Sequence, residues 1–239
     1  MLINKRYKDV LEQYIYKNEP TPLTIGTLAV CALCFLILIV ATFTQTSFSF
    51  PWFHYSSENG FEFITKTVIY NPRIPAMIFI IYLLGRGYAT FIFITYLITG
   101  LFIWPIFVFG GGLEYFHNYL FGYFLGFIVA IFITGGILNI TQNVKARLLS
   151  GLLGVISIHV CGFIYCVILA IFRIIDFNII LPIANAISGN KISYDIIFSL
   201  LTLLIAPYIK NVFWICMKPK ADKQKKLNKN LKSKHLNQV

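Results

Sequence analysis

The chain has 239 residues, of which 58% are hydrophobic and 12% are charged, and its mean hydropathy is +0.76. This composition excludes a soluble globular domain, because water cannot be the solvent of most of the surface. The net charge of +11 at pH 7 does not indicate a nucleic-acid partner, since the basic residues follow the membrane rule described below. We therefore expect no nucleic-acid binding.

Long stretches of the chain contain no Asp, Glu, Lys or Arg. They cover residues 20–57, 87–113, 115–144 and 148–172. A hydrocarbon core about 30 Å thick needs about 20 apolar residues in a helix, so each stretch is long enough to cross it. We predict an all-α, polytopic membrane protein with six transmembrane helices. The predicted spans are 23–46, 68–84, 88–104, 121–139, 148–172 and 194–217.

The distribution of Lys and Arg predicts the side of the membrane on which each loop lies. If both termini are cytoplasmic, sixteen basic residues lie inside and four lie outside. The four outer residues are Lys66, Arg73, Arg173 and Lys191. Because cytoplasmic loops carry the excess of basic residues, we predict an N-in, C-in topology.

Three regions are predicted along the chain: a cytoplasmic N-terminal segment over 1–22, a membrane domain over 23–217 and a basic cytoplasmic tail over 218–239. The tail is expected to attract anionic lipid headgroups. The second span contains Arg73, and the sixth contains Asp195 and Lys210. Lys210 lies about two turns from the end of its span, and we expect it to reach the interface by snorkelling.

The sequence contains none of the motifs G-x-x-x-x-G-K-[ST], H-E-x-x-H and G-x-S-x-G, so no nucleotide-binding or hydrolytic site is predicted. We expect no enzymatic activity, no cofactor and no metal. His159 is the one histidine predicted at membrane depth. It could act as a proton relay, but a hydrogen bond between packed helices is the favoured interpretation.

The region from residue 70 to 126 combines irregular backbone with polar side chains. Pro72 and Pro75 flank Arg73, and a proline restricts its neighbour and lacks a hydrogen-bond donor. Such backbone survives near a membrane where it is buried in protein or lines a wet cavity. Three consecutive glycines, 110–112, allow positive φ and could leave backbone groups open to a ligand.

Acid, base, aromatic rings and glycine backbone thus gather on the predicted outer side, which favours a small-molecule site. The candidate residues are Tyr70, Arg73, Phe107, Gly110, Gly111, Gly112, Glu114, Tyr115 and Asp195. Each also has a structural interpretation. The glycines could form a turn, the tyrosines could be interface aromatics, and Arg73 could pair with Glu62 or a lipid phosphate.

Residues 70–130 resemble the BioY family, the biotin-binding S components of energy-coupling-factor (ECF) transporters. The matching segments are P-R-I-P at 72–75, Y-L-L-G-R-G-Y at 82–88, Y-L-I-T-G-L-F-I-W-P-I-F at 96–107, the glycines at 110–112 and F-G-Y-F-L-G-F at 121–127. The chain departs from the family at three positions. Arg73 stands where members often have Gln, Phe109 where they often have Asn, and Phe198 where many have the Lys of an Asp-x-x-Lys pair.

The resemblance implies an S component in a bacterial cell membrane that captures biotin and depends on a coupling protein and ATPase subunits from other chains. On chemical grounds, Asp195 or Glu114 would accept hydrogen bonds from the ureido ring, and Arg73 or Lys66 would bind the carboxylate. Tyr70, Phe107 and Tyr115 would pack on the rings. Residues 59–61 are a candidate lid, and Gly26, Ala29 and Ala32 are candidates for docking the partner.

Two alternatives remain at this point. The chain could be an S component or related transporter for another vitamin-like ligand, which the departures favour. It could also be a membrane protein without a transport role, in which the glycines and prolines serve helix packing alone.

Overall fold

A computed structural model describes residues 23–56, 60–108, 110–189 and 191–217 of the chain. At 50–56, 60–64, 66, 68 and 214–217 it describes the backbone alone. The predicted terminal segments, 1–22 and 218–239, lie outside these residues, as does Asn59 of the candidate lid. The described part is mostly helical, as the charge-free stretches predict.

The described residues form six helices and one β-hairpin. The helices are α1 (Ile25–Phe43), α2 (Arg73–Ile98), α3 (Phe121–Ile140), α4 (Val144–Ile171), α5 (Ile180–Ala184) and α6 (Lys191–Met217). Two π-helical turns, Thr99–Ile103 and Asn185–Gly189, follow α2 and α5. Short 3-10 helices, Leu113–His117 and Phe177–Ile179, lie in the connections.

Five described helical segments are long and apolar enough to cross a membrane. They are Ile25–Phe43, Arg73–Ile103, Phe121–Ile140, Val144–Ile171 and Phe177–Phe213. Many of their leucines, isoleucines and phenylalanines are exposed, as expected where lipid replaces water around the bundle. The chain is therefore a membrane-integral helical protein.

A β-hairpin occupies a region for which the sequence interpretation predicted no strand. Strand β1 (Thr46–Ser56) pairs antiparallel with β2 (Gly60–Tyr70), with Thr46 opposite Tyr70. The predicted helix limits at 46 and 68 are therefore wrong. A signal for the first strand is the alternation of polar and apolar residues along 47–50, which has the period of a strand. We call the end of the bundle that carries this hairpin the hairpin end.

Helix α2 reverses direction at Gly85, whose φ of 80° and ψ of 175° are non-helical. In a straight helix, Arg73 and Tyr96 would lie about 35 Å apart. Instead both contact the Phe124 ring, at 5.3 Å from the Arg73 guanidinium carbon and 6.0 Å from the Tyr96 ring. The two arms, 73–84 and 86–98, therefore run antiparallel. They correspond to the predicted second and third spans, although the first arm begins at Arg73.

Close helix packing depends on glycines of α3. A side chain at Gly122 would collide with Tyr165, and a Cβ atom at Gly126 would lie 2.7 Å from the Ile158 Cα atom. Both neighbours belong to α4. The G-x-x-x-G spacing of α3 thus serves the close approach of two helices, the role that such small residues have in membranes.

The end of the bundle opposite the hairpin contains basic residues that stabilise the turn at Gly85. The Lys210 ammonium donates to the Tyr82 carbonyl at 3.3 Å and lies 5.1 Å from the Tyr82 ring. The Tyr82 carbonyl lies in the last turn of the first arm, which ends at Leu84. Lys210 therefore caps this helix end, whereas the sequence predicted that it would snorkel.

Candidate functional site

A cavity of about 370 Å³ lies at the hairpin end. Small-molecule sites typically enclose about 300–1,000 Å³, so the cavity has the size of a ligand site. Its lining comes from the base of the hairpin, the start of α2, the 108–123 region, α4 and the start of α6. The lining residues are Gln45, Ile69, Tyr70, Asn71, Arg73, Ile74, Val108, Tyr119, Leu120, Tyr123, Phe127, Ile158, His159, Ala186, Ile187, Lys191 and Asp195.

Asp195 supplies a buried carboxylate in the cavity wall, with 4% of its surface exposed. The Tyr70 hydroxyl donates to Asp195 Oδ1 at 3.0 Å. On the other side, His159 Nε2 lies 3.2 Å from Asp195 Oδ2, although that nitrogen is not aligned for a hydrogen bond. Burial, with the Asp195 charge adding to it, raises the pKa of Tyr70 above its ordinary value, so its hydroxyl remains a donor.

Aromatic rings hold Tyr70 and the base of the hairpin against α6. The Phe48 ring stacks on Tyr194 at 5.5 Å and on Phe198 at 6.0 Å. The Tyr70 ring lies 5.2 Å from Phe198. Phe198 stands where many BioY members have a lysine, and its ring supports Tyr70 instead.

Arg73 supplies a cation whose hydrogen-bonding groups are not all used. Its guanidinium carbon lies 5.3 Å from the Phe124 ring and 6.0 Å from the Phe127 ring. Its Nε and Nη1 atoms are buried without a hydrogen-bond partner among the described residues. Nor does any described carboxylate lie at ion-pair distance from it. Because a buried donor without a partner is costly, an anionic ligand group would stabilise this side chain.

Phe107 and Tyr115 form an aromatic layer behind Arg73 and are not part of the cavity wall. The Tyr115 ring lies 4.7 Å from Phe107 and stacks on Phe124 at 5.6 Å. The Tyr115 hydroxyl is buried without a partner among the described residues. Burial raises its pKa to about 12, so it keeps its proton at neutral pH.

The glycine run 110–112 forms a tight turn outside the cavity lining. Gly110 pairs with Phe107 through two backbone hydrogen bonds of 3.0 and 3.1 Å, and Gly112 N donates to Gly100 O at 3.0 Å. Gly110 and Gly112 have positive φ, but Gly111 does not. These backbone groups are thus used within the protein, in contrast to the sequence interpretation, which left them open to a ligand. The Glu114 side chain is exposed and does not line the cavity.

Of the nine candidate residues, the structure brings Tyr70, Arg73 and Asp195 together around one cavity. Sequence reasoning missed Asn71, Tyr123 and Lys191, which also line it. Asn71 belongs to the same Pro-flanked segment as Arg73, and Tyr123 belongs to the G-Y-F-L-G motif. The two motifs could therefore have indicated both residues. The Lys66 side chain is not among those described.

The cavity thus combines a carboxylate acceptor and a guanidinium donor with apolar walls. Such a site can hold a small ligand that presents N–H donors to the carboxylate and an anionic group to Arg73. The described residues contain no cluster that could hold a metal ion. Fold and cavity together define a helical membrane protein with a small-molecule site near one end.

Comparison with known proteins agrees with this class. The family model described as the BioY family matches residues 17–214. The chain therefore belongs to the BioY family.

A solved structure described as the S-component for biotin from an ECF-type ABC transporter has a similar fold, with a TM-score of 0.56 and 22% sequence identity. The match covers 80% of this chain and 95% of that one. Among curated proteins, none matches the sequence significantly.

Proposed function

We propose that the protein is a substrate-capture S component that binds biotin for an ECF-type transporter. The observation that carries the proposal is the pairing of a buried carboxylate with an incompletely bonded guanidinium around one cavity, in a chain of the BioY family. Biotin offers a ureido ring with two N–H donors, an apolar thiophane ring and a valerate carboxylate. Each of these groups has a chemical counterpart in the cavity.

Asp195 accepts a hydrogen bond from the ureido ring, with Tyr70 bonded to the same carboxylate. Arg73 binds the valerate carboxylate, a geometry that a guanidinium can adopt with two parallel hydrogen bonds. Tyr70 contacts the ligand rings, whereas Phe107 and Tyr115 support Arg73 through Phe124. Contacts from Glu114 and from glycines 110–112 remain predictions of the sequence.

The topology that fits this function has six spans, with both termini in the cytoplasm. The two arms of α2 count as separate spans because they run antiparallel. If the N-terminus is cytoplasmic, the hairpin end then faces the outer side, where the substrate arrives. The excess of Lys and Arg at the opposite end and in the terminal segments supports this orientation. The membrane is the plasma membrane of a bacterium.

Uphill transport requires partners, because the sequence contains no nucleotide-binding motif. A transmembrane coupling protein and ATPase subunits supply the energy. In this scheme the chain is a transport component and carries no catalytic residue. Gly26, Ala29 and Ala32 of α1 are candidates for the docking surface.

The experiment that tests the proposal is binding of radiolabelled biotin to the purified protein in detergent. We expect saturable binding that Asp195→Asn weakens at least about 10-fold, since hydrogen bonds to charged groups contribute about 1.5–3 kcal/mol. Ser157→Ala is a matched control, because the Ser157 hydroxyl bonds to Gly154 O within α4, outside the cavity lining.

A second candidate ligand is another vitamin-like carboxylate, favoured by Arg73 standing where many family members have Gln. Competition of labelled biotin by other vitamins decides between the two. Absence of biotin binding together with binding of another vitamin would support this second candidate. Absence of any binding would support a membrane protein without a transport role.

A further inference from the structure

Four polar side chains form a continuous chain along one side of the cavity. The Tyr123 and Ser188 hydroxyl oxygens are 2.8 Å apart, and Ser188 Oγ lies 2.9 Å from His159 Nδ1. The other ring nitrogen, His159 Nε2, faces Asp195 Oδ2 at 3.2 Å. These four side chains thus link α3, the turn Asn185–Gly189, α4 and α6. The biotin-binding role proposed above does not use His159, Ser188 or Tyr123.

The donor and acceptor groups favour one direction for the hydrogen bonds along these four side chains. Asp195 is a pure acceptor when ionised, so a favourable contact with Oδ2 requires a proton on His159 Nε2. In the neutral ring, Nδ1 then accepts from the Ser188 hydroxyl, and Ser188 Oγ in turn accepts from Tyr123. In this arrangement each hydroxyl donates once, and the Nε2 proton faces the Asp195 carboxylate. The opposite tautomer would direct the Nε2 lone pair at the carboxylate.

We infer that His159 is a positioning residue of the ligand site: its Nε2–H orients the Asp195 carboxylate, and Ser188 and Tyr123 hold the ring in the required tautomer. The inference rests on the proposed function, in which Asp195 accepts from the ligand. Tyr70 takes one lone pair on Oδ1, and His159 Nε2 faces Oδ2 at 3.2 Å without hydrogen-bond alignment. One lone pair on each oxygen is then left for N–H donors of the ligand.

Packing holds the His159 ring in a fixed position beside Asp195. His159 is 6% exposed, and its ring lies 5.9 Å from the Tyr123 ring in an edge-on arrangement. Gly162, one turn further along α4, leaves room for Tyr123, because a Cβ atom there would lie 2.6 Å from the Tyr123 ring. The packing of α3 on α4 therefore fixes the His159 ring beside Tyr123, whose hydroxyl bonds to Ser188, the hydrogen-bond partner of the ring.

Substitutions of His159 separate positioning from simple packing. A glutamine can donate from its amide nitrogen to Asp195, whereas a leucine fills similar space without a donor. We expect His159→Leu to weaken biotin binding about 10-fold or more and His159→Gln to restore most of that loss. In the Asp195→Asn background, His159→Leu should change affinity by less than about twofold, because its effect passes through the carboxylate.

The inference would be overturned if His159→Leu lost the same biotin affinity in both backgrounds, or if the leucine and glutamine variants lost the same affinity. His159 would then have a packing role. Ser157→Ala, two residues away on α4, is the control and should bind like the unsubstituted protein. If the unsubstituted protein does not bind biotin, the proposed function fails.

Nitrogen NMR of the protein with ¹⁵N-labelled histidine tests the inference without a ligand. The His159 signals are assigned by their loss in His159→Gln. We expect a proton on Nε2 and an acceptor at Nδ1, and a measurable shift of the Nδ1 resonance in Ser188→Ala. A neutral ring protonated at Nδ1 alone would overturn the inference, whatever the outcome for biotin.

Discussion

At the scale of single residues, the strongest prediction concerns the contribution of Arg73 to ligand binding. Its Nε and Nη1 atoms are buried without partners among the described residues. A charged group in that position is costly unless an anion or a wet cavity meets it. Glu62 and Glu114, both on the predicted outer side, are the alternative partners to consider. Glu114 is exposed and forms no ion pair with Arg73, and the Glu62 side chain is not described.

We predict that Arg73→Gln weakens biotin binding about 10- to 150-fold, which corresponds to the loss of a charge-assisted hydrogen bond. Binding of a biotin amide, which lacks the carboxylate, should change far less. Equilibrium binding of both ligands to the purified variant measures the difference. Arg86→Gln is a matched control, since Arg86 is exposed and lies near Phe132 and Gly135, away from the cavity. Equal losses for acid and amide would make Arg73 a structural residue.

At the scale of elements, the reversal of α2 depends on a backbone conformation that is almost exclusive to glycine. Gly85 has φ of 80° and ψ of 175°, and a Cβ atom there would meet nothing within 4 Å. The cost of a side chain is therefore conformational, about 1–3 kcal/mol. We predict that Gly85→Ala lowers the midpoint temperature of unfolding in detergent.

Gly87→Ala provides the comparison for Gly85, because it also has open space and does not have positive φ. Alanine is the better helix former by up to about 1 kcal/mol, so this variant should be as stable as the unsubstituted protein or more stable. A similar loss of stability in both variants would contradict the role given to Gly85.

Helix α3 offers a second matched pair. A Cβ atom at Gly126 would lie 2.7 and 2.8 Å from backbone atoms of Ile158, whereas at Gly136 it would meet nothing within 4 Å. We predict that Gly126→Ala destabilises the protein by about 1–3 kcal/mol through overpacking, while Gly136→Ala does not. Unfolding in detergent measures both. Equal stability of the two variants would show that α3 and α4 can separate at no cost.

At the scale of the whole molecule, the proposed orientation makes the two ends of the bundle distinguishable by labelling. In a cysteine-free background, a cysteine introduced at Glu114 should react with a membrane-impermeant reagent in intact cells. One introduced at Thr141, which is exposed between α3 and α4 at the opposite end, should react after permeabilisation. The reverse pattern would refute the N-in, C-in topology.

The sequence was sufficient to predict a helical membrane protein and part of its cavity. Charge-free stretches predict membrane helices because the bilayer imposes their length and composition. Arg73 and Asp195 stood out because charged groups are rare within membrane spans. The β-hairpin was missed because its uncharged first strand reads as a continuation of α1. Likewise, the glycines at 110–112 fit a turn or a ligand contact equally well, and tertiary contacts distinguish the two.

The contact between His159 and Asp195 was also beyond the sequence. The two residues are 36 positions apart and lie on different helices, so no local pattern relates them. Their approach depends on how α4 and α6 pack, which in turn depends on glycines such as Gly151, where a side chain would collide with Leu203 of α6.

The first arm of α2 is short, and its length bears on the depth at which a captured substrate would lie in the bilayer. Its twelve residues, 73–84, rise about 18 Å, well short of a hydrocarbon core about 30 Å thick. In the proposed orientation, with Gly85 at the inner interface, Arg73 would lie about 12 Å beneath the outer edge of that core. Under the proposed function, a ligand whose carboxylate binds Arg73 would therefore lie more than a third of the way through the hydrocarbon core when it is captured.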